Sequence, residues 1–362
     1  MRELKCRKEI LDIKPYVPGK PIEEAERELG IKGIIKLASN ENPLGPSPKA
    51  LKALKENLHK IFMYPDGSCY YLKRDLAEKL GIEEENILIG NGADETIKLA
   101  AEAYLNPGEE VIIPSPSFSE YEFAAKLMGG KCVFSPLKDF RLDLDDMAEK
   151  INDKTKIIYL CNPNNPTGTI FHRDELETFL NKVHPGVLVI VDEAYYEYVV
   201  HESYPQTLDF ISQYPNLLIL RTFSKIYGLA GVRVGYALGS GDLIDDINRV
   251  REPFNVNMLA QAAAKAALKD KDHVIKSKEI NEEGKKFLYR QLDEIGLAYW
   301  PTEANFIWVD LKRNCRDVFE KMMSKGVIIR TGDIFGHDSF IRITIGDQEQ
   351  NEKLVRVLKE VL

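Results

Sequence analysis

Ile157-Ile158-Tyr159-Leu160-Cys161-Asn162-Pro163-Asn164-Asn165-Pro166-Thr167-Gly168 is the stretch from which the fold can be read. Its first residues are apolar at consecutive positions, so a strand here hides both faces, and the prolines and glycine fix a turn at the strand's carboxyl end. The pattern returns in Val187-Leu188-Val189-Ile190-Val191-Asp192 and Leu217-Leu218-Ile219-Leu220, with shorter runs at Ile87-Leu88-Ile89, Val111-Ile112-Ile113 and Val232 to Leu238. Helix-length amphipathic segments lie between them. Such alternation predicts a mostly parallel sheet covered by helices, an α/β domain over 46–255. Ligands are then expected outside the carboxyl ends of the strands.

The texture changes on either side. After Pro253 an Ala-rich helix, Leu259 to Leu268, leads into a Lys/Glu-rich helix around 272–295. The strands that follow, Asn305 to Val309 and Phe340 to Ile345, alternate, as suits a sheet packed on one face only. A smaller α+β domain over 256–362 is expected. Residues 1–45 are rich in Pro, Gly and Asn and read as an arm around one short helix near 21–29, packing with the small domain.

Length and composition narrow the function. With 362 residues, 44% of them hydrophobic, the chain can bury a large core, and 49 Lys+Arg against 57 Asp+Glu leave a net charge of −8 with both signs interspersed. No basic stripe invites nucleic acid, so an anionic ligand must be met by individual arginines. Five cysteines without a CxxC pair suit the reduced thiols of a cytoplasmic protein. No apolar run suggests a membrane span or a secretory leader. The six histidines show no metal-ligand spacing, so no metal is expected.

Chemistry concentrates at the strand ends. Gly90-Asn91-Gly92-Ala93-Asp94-Glu95 leads from a strand into a helix, where free N–H groups and the helix dipole favour a phosphate; it reads equally as a tight turn with Asp94 as cap. The broken G-x-G-x-x-G pattern disfavours a nicotinamide dehydrogenase. Asn162 to Gly168 displays amides at a rigid edge. Asp192 ends a strand buried on both faces and needs a cation or strong donors, unless it caps a helix. Thr222-Phe223-Ser224-Lys225-Ile226-Tyr227-Gly228 offers a lysine among apolar neighbours that can act as amine nucleophile or base. Ser224 and Arg233 can both serve a phosphate.

In that chain order these features resemble the fold-type-I aminotransferases that bind pyridoxal 5′-phosphate. Tyr16 in the proline-rich arm, Tyr64-Pro65-Asp66-Gly67, Asn162 to Gly168, Asp192-Glu193-Ala194-Tyr195, Thr222 to Lys225 and Phe340 to Gly346 are most similar to the histidinol-phosphate branch. The resemblance implies a seven-stranded, mostly parallel sheet plus a smaller α+β domain. It implies that Lys225 joins the cofactor aldehyde and later moves the substrate proton, and that Asp192 pairs with the ring nitrogen. Asn165 and Tyr195 then meet the ring's 3′ oxygen and Phe118, where many relatives have tyrosine, stacks on the ring. The phosphate falls to the N–H groups of Ala93 and Asp94, to Thr222, Ser224 and Arg233, and to Tyr64 of a neighbouring subunit in a homodimer. Arg342 is expected to grip the substrate carboxylate, and Arg330 and Tyr16 the distal phosphate. The implied reaction exchanges an amino group between L-histidinol phosphate and 2-oxoglutarate. Rival readings are an aromatic amino acid aminotransferase, a phosphothreonine decarboxylase and a non-catalytic regulator.

Overall fold

The structure, a computed structural model, describes residues 4–13 and 19–362. Its strands in chain order are β1 (Ile35–Leu37), β2 (Ile87–Gly90), β3 (Glu110–Ser115), β4 (Lys131–Pro136), β5 (Thr155–Cys161), β6 (Leu188–Asp192), β7 (Leu217–Thr222), β8 (Gly235–Leu238), β9 (Ala298–Trp300), β10 (Phe306–Asp310), β11 (Val327–Thr331) and β12 (Phe340–Thr344). Seven of them form one sheet in the order β2-β8-β7-β6-β5-β3-β4. All its pairings are parallel except those of β8 with β2 and β7. Runs of apolar residues bury β6 and β7 completely, and β5 at every position but Lys156, because helices cover both faces.

Two details differ from the sequence reading. The last strand starts at Gly235, not Val232: Ala230–Val232 form a 3-10 turn, and Arg233 takes a left-handed φ of 58°. Pairing begins only where a residue without a side chain can pass, since a Cβ on Gly235 would lie 2.9 Å from the Ala93 nitrogen. Strand β4 was not foreseen. It is a half-exposed sheet edge and lacks the consecutive buried residues that betray its neighbours.

The other five strands form a second sheet, β1-β11-β12-β10-β9, in which the pre-domain strand β1 runs parallel to β11. Ile307, Val309, Ile329, Ile341 and Ile343 pack beneath Leu288, Leu292, Leu354 and Leu358 of two helices. The expectation that only one face of this sheet packs is wrong. Phe306 and Trp308 on the opposite face are wholly buried and Arg342 is 6% exposed. That face is covered by Tyr195 against Phe306, and by a ring cluster in which Phe140 meets Trp300 and Phe340.

The composition change at Pro253 does not coincide with a change of packing partner, because Ala260, Ala263, Ala264 and Ala267 lie in the core of the large sheet. The helix Lys271–Glu294 makes the transition, with buried His273, Ser277, Asn281, Lys285, Leu288 and Leu292 along one stripe. Its polar beginning faces the Lys225 loop: Asn42 Nδ2 donates to both Ser277 Oγ and the Ile226 carbonyl. Among the described residues no helix is long and apolar enough to cross a membrane.

Candidate active site

The site is built on the carboxyl ends of β5, β6 and β7. Parallel register sets Cys161 beside Asp192 and Asp192 beside Leu220, so the turns after these strands converge. Asp192 is 4% exposed; its Oδ2 accepts from the Tyr121 hydroxyl at 2.6 Å and its Oδ1 from the Ala194 N–H at 3.0 Å. Burial pushes its carboxyl up to about 6, against the pull of those donors. Among the described residues no cationic side chain pairs with it. A buried carboxylate supplied with donors but no counter-charge suits the protonated nitrogen of a heterocycle.

Lys225 is held the opposite way. Burial and then the Arg342 guanidinium pull its ammonium down to about 8, with Glu41 and Asp94 opposing. Its Nζ donates to the Ser39 carbonyl at 3.3 Å and lies 5.6 Å from the Tyr195 ring centre. A lysine titrating near neutrality can offer a free amine, as both nucleophile and base require.

A third cluster has the character of a phosphate site. The helix Ala93–Tyr104 begins after Gly92, which has a φ of 86° and supplies no side-chain cap, so its first N–H groups have no acceptor within the helix. Neither Asp94 nor Asp192 caps a helix: Asp94 instead pairs with Arg233 at 2.9 Å. Arg233 Nη1 also donates to Ser224 Oγ at 3.5 Å, and Thr222 Oγ1 donates to Ser224 Oγ at 3.0 Å. A Cβ on Gly92 would stand 2.5 Å from Arg233 Nη2. Helix start, hydroxyls and guanidinium thus share one cradle, whose donors suit an anion.

Two donors stand beside it. Arg342 donates to the Asn165 side-chain oxygen and, at 2.6 Å, to the Ala38 carbonyl, which leaves the Asn165 NH₂ to act elsewhere. The Tyr195 hydroxyl accepts from Asn40 Nδ2 at 2.8 Å. Arg342, buried on the inner face of β12, is the register partner of Arg330 on β11.

Residues 32–358 match the family described as aminotransferase class I and II. A histidinol-phosphate aminotransferase of Moorella thermoacetica is 59% identical over 99% of this chain and 93% of its own length. The chain belongs to the histidinol-phosphate aminotransferases. A second member, from Caldicellulosiruptor saccharolyticus, is 47% identical over 98% of the chain and 99% of its own. The crystal structure of the Sinorhizobium meliloti histidinol-phosphate aminotransferase in complex with pyridoxal 5′-phosphate superposes with a TM-score of 0.89, at 28% identity over 97% of both chains.

Against this family, the structure brings Ala93, Asp94, Asn165, Asp192, Tyr195, Thr222, Ser224, Lys225, Arg233, Arg330 and Arg342 to the strand ends and to the sheet face above them. Phe118 precedes the helix Ser119–Leu127 and packs edge-on to Tyr121. Tyr64 stands apart, 81% exposed and stacked on Phe254. Tyr16 lies outside the described residues. Sequence reading of this aminotransferase missed Tyr121 and Asn40. Tyr121 carried a signal, since it falls one helical turn after Phe118; Asn40 carried none beyond the turn-rich Asn40-Glu41-Asn42-Pro43.

Proposed function

We propose that this chain binds pyridoxal 5′-phosphate and transfers the amino group of L-histidinol phosphate to 2-oxoglutarate, giving imidazole acetol phosphate and L-glutamate in L-histidine biosynthesis. The observation that carries the substrate reading is the Arg330–Arg342 register pair. Residues directly opposite on antiparallel strands have Cβ atoms about 5 Å apart on one face, so these two guanidiniums can converge on the anionic groups of one substrate. L-glutamate carries a carboxylate on its amine-bearing carbon and histidinol phosphate carries its phosphate one carbon further out, so one pair of guanidiniums serves each in turn.

When bound, the cofactor supplies an electron-poor ring that takes up the electron pair released as the amine carbon loses its proton. Asp192 holds the ring nitrogen protonated, and Asn165 and Tyr195 donate to the ring oxygen. Lys225 would hold the cofactor's aldehyde carbon and, as a free amine, would move the substrate proton. Ala93, Asp94, Thr222, Ser224 and Arg233 anchor the phosphate, and Phe118 backs the ring. Because one site holds the amino group between the two halves of the reaction, ping-pong kinetics are expected.

The chain acts as a homodimer in this reading. Leu58, Ile61, Phe62 and Tyr64 are all more than half exposed, an apolar patch that a two-fold partner would cover while Tyr64 reaches the partner's phosphate. The free cysteines support a cytoplasmic location. In the proposed division, 46–255 carries the cofactor, 256–362 the arginines, and 1–45 an arm; the pairing of β1 with β11 supports the arm's attachment.

The test is turnover with 2-oxoglutarate of histidinol phosphate, phenylalanine and phosphothreonine. The highest kcat/KM is expected for histidinol phosphate, and clear preference for phenylalanine would refute the substrate. Lys225→Ala should abolish transfer and the absorbance that arises from cofactor joined to the lysine.

A further inference from the structure

We propose that Asn40 is a positioning residue that aims the Tyr195 hydroxyl at the cofactor's phenolic oxygen, an inference that rests on the aminotransferase reading above. Asn40 is 1% exposed and left-handed, with a φ of 59°, a conformation that asparagine tolerates. Its Nδ2 donates to Tyr195 Oη at 2.8 Å, its Oδ1 accepts from Thr344 Oγ1 at 3.1 Å, and its own N–H donates to Thr344 Oγ1 at 2.9 Å. Its carbonyl accepts from Asn305 Nδ2 at 3.0 Å. The amide is therefore fixed from behind, with its NH₂ toward the tyrosine.

A phenol has one hydrogen. With Asn40 donating onto Oη, that hydrogen is not spent on the support and remains for the site, on the side of the ring where Lys225 Nζ lies 5.6 Å away. Donation thus runs from Thr344 to Asn40, to Tyr195, to the cofactor oxygen, and each link polarises the next. Thr344 follows Arg342 by two residues on the same face of β12, so the strand that carries a substrate arginine also orients a cofactor donor. The residues just before Asn40 join in: the Ala38 and Ser39 carbonyls accept from Arg342 and Lys225.

Donor direction separates this role from mere filling of space. Asn40→Asp keeps the shape and the acceptor for Thr344 but places an acceptor against Tyr195, which must then donate its hydrogen backward. A donor on the phenolic oxygen drains its negative charge and so loosens the proton on the neighbouring Lys225-derived nitrogen. Losing it should raise the pH midpoint of the bound cofactor's visible absorbance by about one unit, a tenfold change in proton affinity. In Asn40→Asp we expect that rise, with kcat lowered about tenfold and KM for histidinol phosphate changed less than about twofold. Asn40→Gly, which suits the backbone, and Thr344→Val, which releases the amide, should shift the midpoint in the same direction; melting of the cofactor-free proteins verifies folding. Tyr195→Phe should give the shift alone, and Asn40→Asp added to it should move the midpoint no further. A residual shift in that background would be the effect of charge alone and would overturn the proposal. An unmoved midpoint in Asn40→Asp beside a shifted one in Tyr195→Phe would overturn it while leaving the function standing. An unmoved midpoint in Tyr195→Phe would remove both the proposal and the assigned role of Tyr195.

Discussion

Asp192 and Lys225 both titrate away from their ordinary pH ranges, and for Asp192 this has a cost that can be measured without the cofactor. Its carboxyl is raised from 3.8 to about 6 in the folded chain. The folded state therefore holds more protons than the unfolded state between those values, so stability falls as pH rises through the window and the full cost stands above it. Two units correspond to about 3 kcal/mol. Asp192→Asn should then raise the melting temperature of the cofactor-free protein at pH 7.5 and flatten its pH dependence between 4 and 6, while transamination drops about 10²- to 10³-fold. A variant that melts below the parent at pH 7.5 would contradict this account. Lys225 works in another window: lowered from 10.5 to about 8, it makes stability rise with pH between those values, an effect that Lys225→Met should remove from melting curves.

At the scale of elements, the phosphate cradle depends on how β2 hands over to the helix Ala93–Tyr104. Gly92 needs its positive φ and its missing side chain, because a Cβ would meet Arg233 Nη2 at 2.5 Å. Gly92→Ala should weaken cofactor binding about tenfold, or 1.4 kcal/mol, in a fluorescence titration of the cofactor-free protein; unchanged affinity would show that the cradle is not the phosphate site. This handover was readable in the sequence, as were β5 to β7, because an apolar run ended by Gly, Pro or Asp states both the strand and its end. What was not readable involved partners distant in sequence. Whether Arg342 faces solvent depends on Trp308, Phe306 and the Ala38 carbonyl, none of which periodicity can locate. The alternation of β10 and β12 suggested a wet face, yet that face is sealed by Tyr195 and Phe140 from the other sheet's loops. Asn40 was hidden for the same reason: its contacts to Tyr195 and Thr344 span most of the chain.

The whole molecule poses the question of how many chains make one site. Tyr64 and Phe62 are each 81% exposed, a large apolar exposure for neighbouring residues, and Tyr64 hydrogen-bonds nothing among the described residues. If a two-fold partner covers them, Phe62→Asp should yield monomers in sedimentation, with cofactor affinity reduced although every residue of the cradle in one chain is intact. Mixed dimers separate loss of assembly from loss of Tyr64 itself. A dimer with one Tyr64→Ala chain and one Lys225→Ala chain has two defective subunits. Should Tyr64 act across the interface, the Lys225-containing site receives the intact tyrosine of its partner, and the other site collects both defects. One fully competent site per mixed dimer then forms, and because random exchange makes about half of the dimers mixed, combining two weakly active proteins in equal amounts restores about a quarter of the parental rate at low cofactor concentration. Should Tyr64 act within its own chain, each site keeps one defect and mixing restores nothing, which would confine the shared-site reading to the fold alone.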